Sequence, residues 1–264
     1  MKIAKKLILF VVIAAMILAF AACGEKNETK ATAAPDGDTS FTTVTEGKLI
    51  MATNAEFPPY EFYEGAEIVG IDAEVAALIA EKLGLELEIK DVDFDSIVPG
   101  VQSNKYDMGM AGMTVTEDRL KNVNFSDSYA TGIQAIIVPE GSDIQSVDDL
   151  EGKMIGVQQA TTGYIYASDD YGEDHVVSYA NGALAVEGLK SGKVDCVIID
   201  NEPAKAYVAE NEGLTILETE YAVEDYAICF NKDNAALQEA VNKALGELIA
   251  DGSVQKIVDK YIVA

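Results

Sequence analysis

Between residues 48 and 199 short strand-like runs alternate with amphipathic helical runs, and the alternation breaks off near Tyr129 and starts again at Ile133. Each kind of element has an apolar side that needs the other to cover it, so such a chain is confined to sheets with helices on both faces. In the first run Lys48–Thr53 reads as a strand, and residues 72–83 read as a helix with Val75, Leu78, Ile79 and Leu83 on one face and Gly84 at its stop. Residues 85–92, 96–103 and 106–111 follow as strand, short helix and strand. The second run places strands at 133–138, 154–158, 176–179 and 194–199, with helices after Gly163 and over 183–190 behind Asn181. Pro203 stands where another helix can begin. A strand at 226–230 and helices over 234–250 and 254–261 come last. The tight restart after Tyr129 predicts two β-α lobes rather than one continuous sheet.

Lys2, Lys5 and Lys6 precede an unbroken apolar run over residues 7–20 that ends in small residues, the pattern of an export signal over residues 1–22. The run is shorter than the ~20 residues that span a bilayer, and no later segment is apolar for as long, which excludes a membrane channel or transporter core. Phe20, Ala21, Ala22, Cys23 and Gly24 resemble the lipobox of bacterial lipoproteins, in which the cysteine is acylated and becomes the mature N-terminus. Phe20 stands where those proteins usually carry leucine, and cleavage near Ala21 or Ala22 with full release is the alternative. The stretch from Gly24 to about Gly47 is rich in Thr, Ala, Asp, Glu and Lys, as a flexible tether requires. The expectation is a lipidated Cys23 and tether over residues 23–46, anchoring an exported protein to the outer face of the cell membrane.

Removal of residues 1–22 takes three lysines from a formal net charge of -26 and leaves -29, with no basic block anywhere. Nucleic acid is therefore excluded as a partner, and the acidity reads as a solvated surface. Besides Cys23 there are only Cys196 and Cys229, each in an apolar strand-like run. A disulfide between them is open, but small core fillers are the better reading. With one histidine, His175, metal-ligand clusters are absent, and neither a metal nor a cofactor is expected.

Arg119 is the only arginine in a chain with eighteen lysines. A planar guanidinium matches a carboxylate bidentately and an ammonium does not, so a solitary arginine suggests a geometric requirement, with an incidental surface charge as the alternative. The surrounding residues decide between them. AGMTVTEDRLKNVNFSDSY, from Ala111 to Tyr129, resembles the signature of the polar amino-acid family of periplasmic binding proteins, the substrate-capture subunits of ABC importers. The resemblance extends from about Gly47 to Ala264 through MATNAEFPPYEF, IVGIDAEVAALIAEKLG, VDFDSIVPGVQSNKYDMGMAG and VDCVIIDNEPAKAYV.

The resemblance implies an α/β fold of the two-lobed, type II periplasmic-binding kind, with two crossing strands and a ligand cleft between lobes. Lobe one is then residues 47–130 plus 226–264, and lobe two 131–225. It also implies a free amino acid as ligand, an ABC permease and ATPase as partners, and a monomer. Arg119 and the Thr114 N–H are implied to bind the ligand carboxylate, while the Gly112 carbonyl, the Thr114 hydroxyl and Asp200 take the ammonium. Asp200 ends an apolar strand, where α/β folds place their ligands, and an N-cap role before Pro203 is its alternative. Thr162 and Gly163 match the positions whose backbone amides meet the carboxylate, as a helix N-terminus favours anions. Ala160 stands where many members have glycine, and plain capping by Thr161 or Thr162 is the alternative. Phe57 and Phe94 match aromatic walls for the side chain, core packing being the alternative. Asn54 matches a position often held by aspartate in members that take basic amino acids or glutamine, and Gln159 one that contacts the side chain. Two amides favour a polar uncharged ligand, whereas an arginine stacked between Phe57 and Phe94, with Glu56 or Glu202 as counter-ion, stays open.

Two other functions compete. Cyclohexadienyl dehydratases share this fold, but catalysis needs a positioned acid or base, and His175 lies outside the cleft motifs, so no enzyme is expected. A sensor module would share the site and continue into a membrane helix and output domain; the sequence ends after a helix, which favours the importer.

Overall fold

The computed structural model describes residues 32–33 and 40–262; the export signal, Cys23 and most of the tether lie outside the described residues. β1 (Thr32–Ala33) and β2 (Ser40–Phe41) form an antiparallel pair. Residues 41–46, read above as the end of the tether, instead belong to the folded body. Phe41 is buried in the core, Val44 N–H donates to Asp107 Oδ1 at 2.7 Å, and Asn234 Nδ2 donates to the Thr42 carbonyl at 2.9 Å. One buried aromatic stabilises by about 1.5–3 kcal/mol, enough to dock a short polar segment.

The first lobe is built on β3 (Lys48–Thr53), whose alternation supplies two faces. Leu49 and Met51 join one core cluster, and Ile50 and Ala52 join another on the opposite side. An antiparallel meander follows, β4 (Glu56–Phe57), β5 (Glu61–Glu64) and β6 (Glu67–Val69). It feeds helix α1 (Ile71–Leu83), whose buried Val75 and Ile79 cover the Leu49 side, with Gly84 as a left-handed C-cap. β7 (Glu86–Asp91) pairs parallel with β3, and α2 (Phe94–Gln102) covers the Ile50 side through Ile97 and Val101. β8 (Met108–Gly109), α3 (Glu117–Asn122) and β9 (Val123–Phe125) follow.

The chain then leaves the lobe through β10 (Ala130–Pro139). The second lobe runs β11 (Ile155–Gln158), α4 (Thr162–Tyr171), β12 (Val176–Tyr179), α5 (Gly182–Lys190), β13 (Cys196–Asp200), α6 (Asn201–Glu210) and β14 (Leu214–Ile216). Its sheet has the order β12-β11-β13-β10-β14, parallel among the first three and antiparallel at β10. β15 (Ala222–Tyr226) returns along β10, with Ala130 opposite Tyr226, so the two crossings are one antiparallel pair. Back in the first lobe, β16 (Cys229–Asn231) sits between β8 and β9, completing the order β7-β3-β8-β16-β9. α7 (Ala235–Ala250), N-capped by Asn234, and α8 (Ser253–Tyr261) pack on that lobe.

The strand expected over 226–230 is thus two strands, β15 in the crossing and β16 in the first sheet. Cys196 and Cys229 lie in different sheets as buried free thiols, both pushed up to about 12 by burial. Among the described residues no helix is long and apolar enough to cross a membrane, and no cluster of metal-ligating side chains occurs.

Candidate functional site

A cavity lies between the lobes. Of the residues singled out from the sequence, Asn54, Phe57, Phe94, Gly112, Thr114, Arg119, Thr162 and Asp200 line it, although they are scattered over some 150 positions of the chain. Gln159 and Gly163 do not. Gln159 is exposed, and its amide donates to Asp95 Oδ2 at 2.7 Å; the cavity instead receives its neighbour Gln158. Gly163 lies just behind the lining, where a Cβ would come 3.0 Å from Gln134 Oε1.

Arg119 is the cation of the cavity. It sits in α3, whose N-cap Thr116 accepts from its backbone N–H at 3.2 Å. Its Nη1 donates to the Thr114 carbonyl at 2.7 Å, its Nη2 donates to the Ala160 carbonyl of the other lobe at 3.1 Å, and the guanidinium carbon lies 5.3 Å from the centre of the Phe94 ring. Two carbonyls and a ring fix the plane of the fork while leaving its other N–H donors to an incoming acceptor. Among the described residues no ion pair includes Arg119, and burial lowers its pKa. Facing it is the start of α4, where Thr161 is the N-cap, accepting from Tyr164 N–H at 3.3 Å, and the N–H groups of Thr162 and Gly163 occupy the first turn. A guanidinium opposite a helix N-terminus makes an anion site.

Asp200 is 1% exposed, lines the cavity and caps a helix, the alternative considered for it. Its Oδ1 caps α6 by accepting from Glu202 N–H at 2.9 Å, while Oδ2 accepts from Tyr226 Oη at 2.7 Å and Ile133 N–H at 3.1 Å. Burial, only partly offset by these donors, pushes its pKa up to about 6. Such a carboxylate becomes a stable anion when a cation joins it. Gly112, at φ +50°, has to be glycine, since a Cβ there would come 2.9 Å from the Phe57 ring. Phe57 is stacked on Tyr60 at 5.7 Å and packs against core residues of both lobes. Both ends of the Asn54 amide are engaged: its Oδ1 accepts from Gln158 Nε2 at 2.9 Å across the cleft and its Nδ2 donates to the Val92 carbonyl at 3.1 Å.

The cavity also holds residues that sequence reasoning missed. Glu61 is 0% exposed, and among the described residues neither carboxyl oxygen has a hydrogen-bond partner; burial and the neighbouring Asp72 push its pKa well up. Glu224 is buried on the crossing strand, with Oε2 accepting from Gln134 Nε2 at 3.0 Å and Oε1 without a hydrogen-bond partner among the described residues. The signal for Glu224 was available in AVEDY, where residue 224 shares the inward phase of Tyr226. Nothing local marks Glu61 as buried.

Residues 49–264 match the family described as bacterial extracellular solute-binding proteins, family 3. The arginine-binding extracellular protein ArtP of Bacillus subtilis is 34% identical, covering 97% of this chain and 98% of its own. Among solved structures, an ancestral arginine-binding protein bound to arginine is 43% identical, with TM-score 0.77, covering 82% of this chain and 99% of its own. An ancestral arginine-binding protein bound to glutamine is 42% identical, with TM-score 0.78, covering 83% and 100%.

Proposed function

This chain belongs to the bacterial extracellular solute-binding proteins of family 3, and from that premise we infer that it captures a free basic amino acid, arginine foremost, for an ABC importer. The observation that carries the ligand class is the balance of ionisable groups in the cavity: one basic group, Arg119, against three carboxyl groups, Glu61, Asp200 and Glu224. A basic amino acid brings one carboxylate and two cations, which complements that surplus. Its carboxylate meets Arg119 and the N-terminus of α4, its ammonium meets Asp200, and its cationic side chain passes between Phe57 and Phe94 toward Glu61. The relatives named as arginine-binding support this assignment. Asn54 does not argue against it, because its amide is already paired with Gln158 and Val92, and Glu61 supplies the counter-ion. A second reading, a neutral amide side chain, is favoured by the ancestral protein bound to glutamine.

Arg119–Ala160, Asn54–Gln158, Gln159–Asp95 and Tyr207–Glu56 hydrogen bonds join the walls of the cleft. A ligand gripped from both sides adds to these contacts and favours closure, which the permease reads. Residues 47–130 with 226–264 and residues 131–225 are the bodies that close. Capture occurs without conversion, by a monomer held to the membrane through acylated Cys23. A thermal-shift screen against the twenty amino acids, ornithine and citrulline tests the ligand class: at ~100 times its dissociation constant the right ligand stabilises by about 2.7 kcal/mol. Arginine, lysine or ornithine should give the largest shift; silence from all of them sinks the reading. Product formed from prephenate or arogenate would overturn the absence of catalysis, and release of Cys23→Ser protein from membranes tests the anchor.

A further inference from the structure

Two carboxyl groups meet at one side of the cavity with no cation between them. Glu61, on β5, lines the cavity and is fully buried; Asp72 lies behind it in the first turn of α1, equally buried. Among the described residues neither oxygen of Glu61 nor Asp72 Oδ1 has a partner from any N–H or hydroxyl group, and the two carboxyls are each other's neighbours. Asp72 Oδ2 is held by Gly112 N–H at 2.9 Å and Tyr129 Oη at 2.8 Å. The titratable groups around Glu61 are Asp72 on α1, Asp91 at the end of β7, Asp200 at the end of β13, and the phenols of Tyr60, Tyr129 and Tyr207. None is a cation.

Two touching carboxylates cannot both stay ionised away from water, so one keeps a proton. The donors decide which. Two of them stabilise the anion of Asp72, whereas Glu61 has none, so Glu61 carries the proton and donates it to Asp72 Oδ1. The directions agree: Asp72 rises to about 6, and Glu61 is driven much further by burial and by Asp72.

We propose that Glu61 and Asp72 are a proton-sharing pair that couples capture of a cationic side chain to release of one proton. As the guanidinium or ammonium arrives, the O–H bond of Glu61 breaks, the electron pair stays on the carboxylate, and the proton passes to water. The local charge is conserved because the ligand's cation replaces the proton. A neutral amide side chain donates an N–H to the carbonyl oxygen of the protonated carboxyl, whose O–H stays on Asp72, and releases nothing. The pair thus lets one pocket admit two classes of side chain and sets the balance between them by pH.

This inference rests on the amino-acid reading above, and the test separates the two. Isothermal titration calorimetry of the wild-type protein, repeated in buffers of different ionisation enthalpy between pH 5.5 and 8.5, counts protons for L-arginine and for L-glutamine. Asp200 meets the ammonium of both ligands, so the difference between them isolates the side-chain pocket. The expected result is a maximum release close to one proton more with arginine than with glutamine. The arginine dissociation constant should fall by about tenfold per pH unit through the releasing range. Glu61→Gln, checked for folding by thermal unfolding, should abolish the difference and weaken arginine by on the order of 100-fold. Arginine binding at equal proton release to glutamine at every pH overturns the pair while leaving the ligand reading intact. Failure of both ligands to bind overturns the ligand reading itself.

Discussion

Replacing Arg119 by lysine keeps the charge and removes the fork. In the structure the guanidinium spends one N–H on Thr114 at 2.7 Å and another on Ala160 at 3.1 Å, and its carbon lies 5.3 Å from the centre of the Phe94 ring. A single ammonium reaching into the same space can keep one carbonyl and one carboxylate oxygen. It loses the bond across the cleft to Ala160 and one arm of the bidentate contact to the ligand. Each is a charge-assisted hydrogen bond contributing about 1.5–3 kcal/mol, so the loss is at least about 3 kcal/mol, or on the order of 150-fold in dissociation constant. Calorimetry of Arg119→Lys and wild type with L-arginine reads it, and thermal unfolding without ligand confirms that both are folded. An affinity within threefold of wild type would refute the placement of the carboxylate at Arg119.

Three further outcomes follow from the same geometry. Ala160 is held at φ +61°, so Ala160→Gly should raise stability by about 0.5–1 kcal/mol in urea unfolding, the left-handed strain relieved exceeding the entropy that glycine adds to the unfolded chain. Gln158→Ala should weaken the ligand about tenfold by breaking the buried pair with Asn54, whereas Gln159→Ala, at the exposed rim, should change it less than threefold. Asp72, Asp107 and Asp200 are each raised to about 6 by burial, so the native state holds protons that the unfolded chain gives up near pH 4. Stability without ligand is therefore greatest below about pH 4 for these groups and falls by up to about 3 kcal/mol for each as pH rises to about 6. The urea midpoint should be higher at pH 4.5 than at pH 7.5, since exposed lysine-paired carboxylates such as Glu88 oppose this only weakly.

The two lobes were legible because their central strands carry unbroken apolar stretches, LIMA in KLIMAT and CVII in CVIID. Arg119 and Asp200 were legible for a related reason, one being unique in composition and the other ending such a strand. What escaped depends on partners distant in sequence. Glu61 sits in EFYE, where nothing local sets it apart from the exposed Glu64, and it is buried beside Asp72 of α1, a partner distant in sequence. The glutamine at the cavity was misplaced by one residue: Gln158 ends the buried strand β11, whereas Gln159 lies just beyond it and is exposed. Residues 41–46 looked like tether because Phe41 is one aromatic side chain in a largely polar run and the other anchors are bonds of its neighbours' backbone groups.

A crystal structure grown with L-arginine tests the account most directly. The prediction is a ligand in the cavity with its carboxylate on Arg119 and the Thr162 and Gly163 N–H groups, its ammonium on Asp200, and its guanidinium between Phe57 and Phe94 against Glu61. Arginine bound in the reverse sense, with its side chain away from Glu61, or a cavity that stays unfilled at saturating ligand, would contradict it.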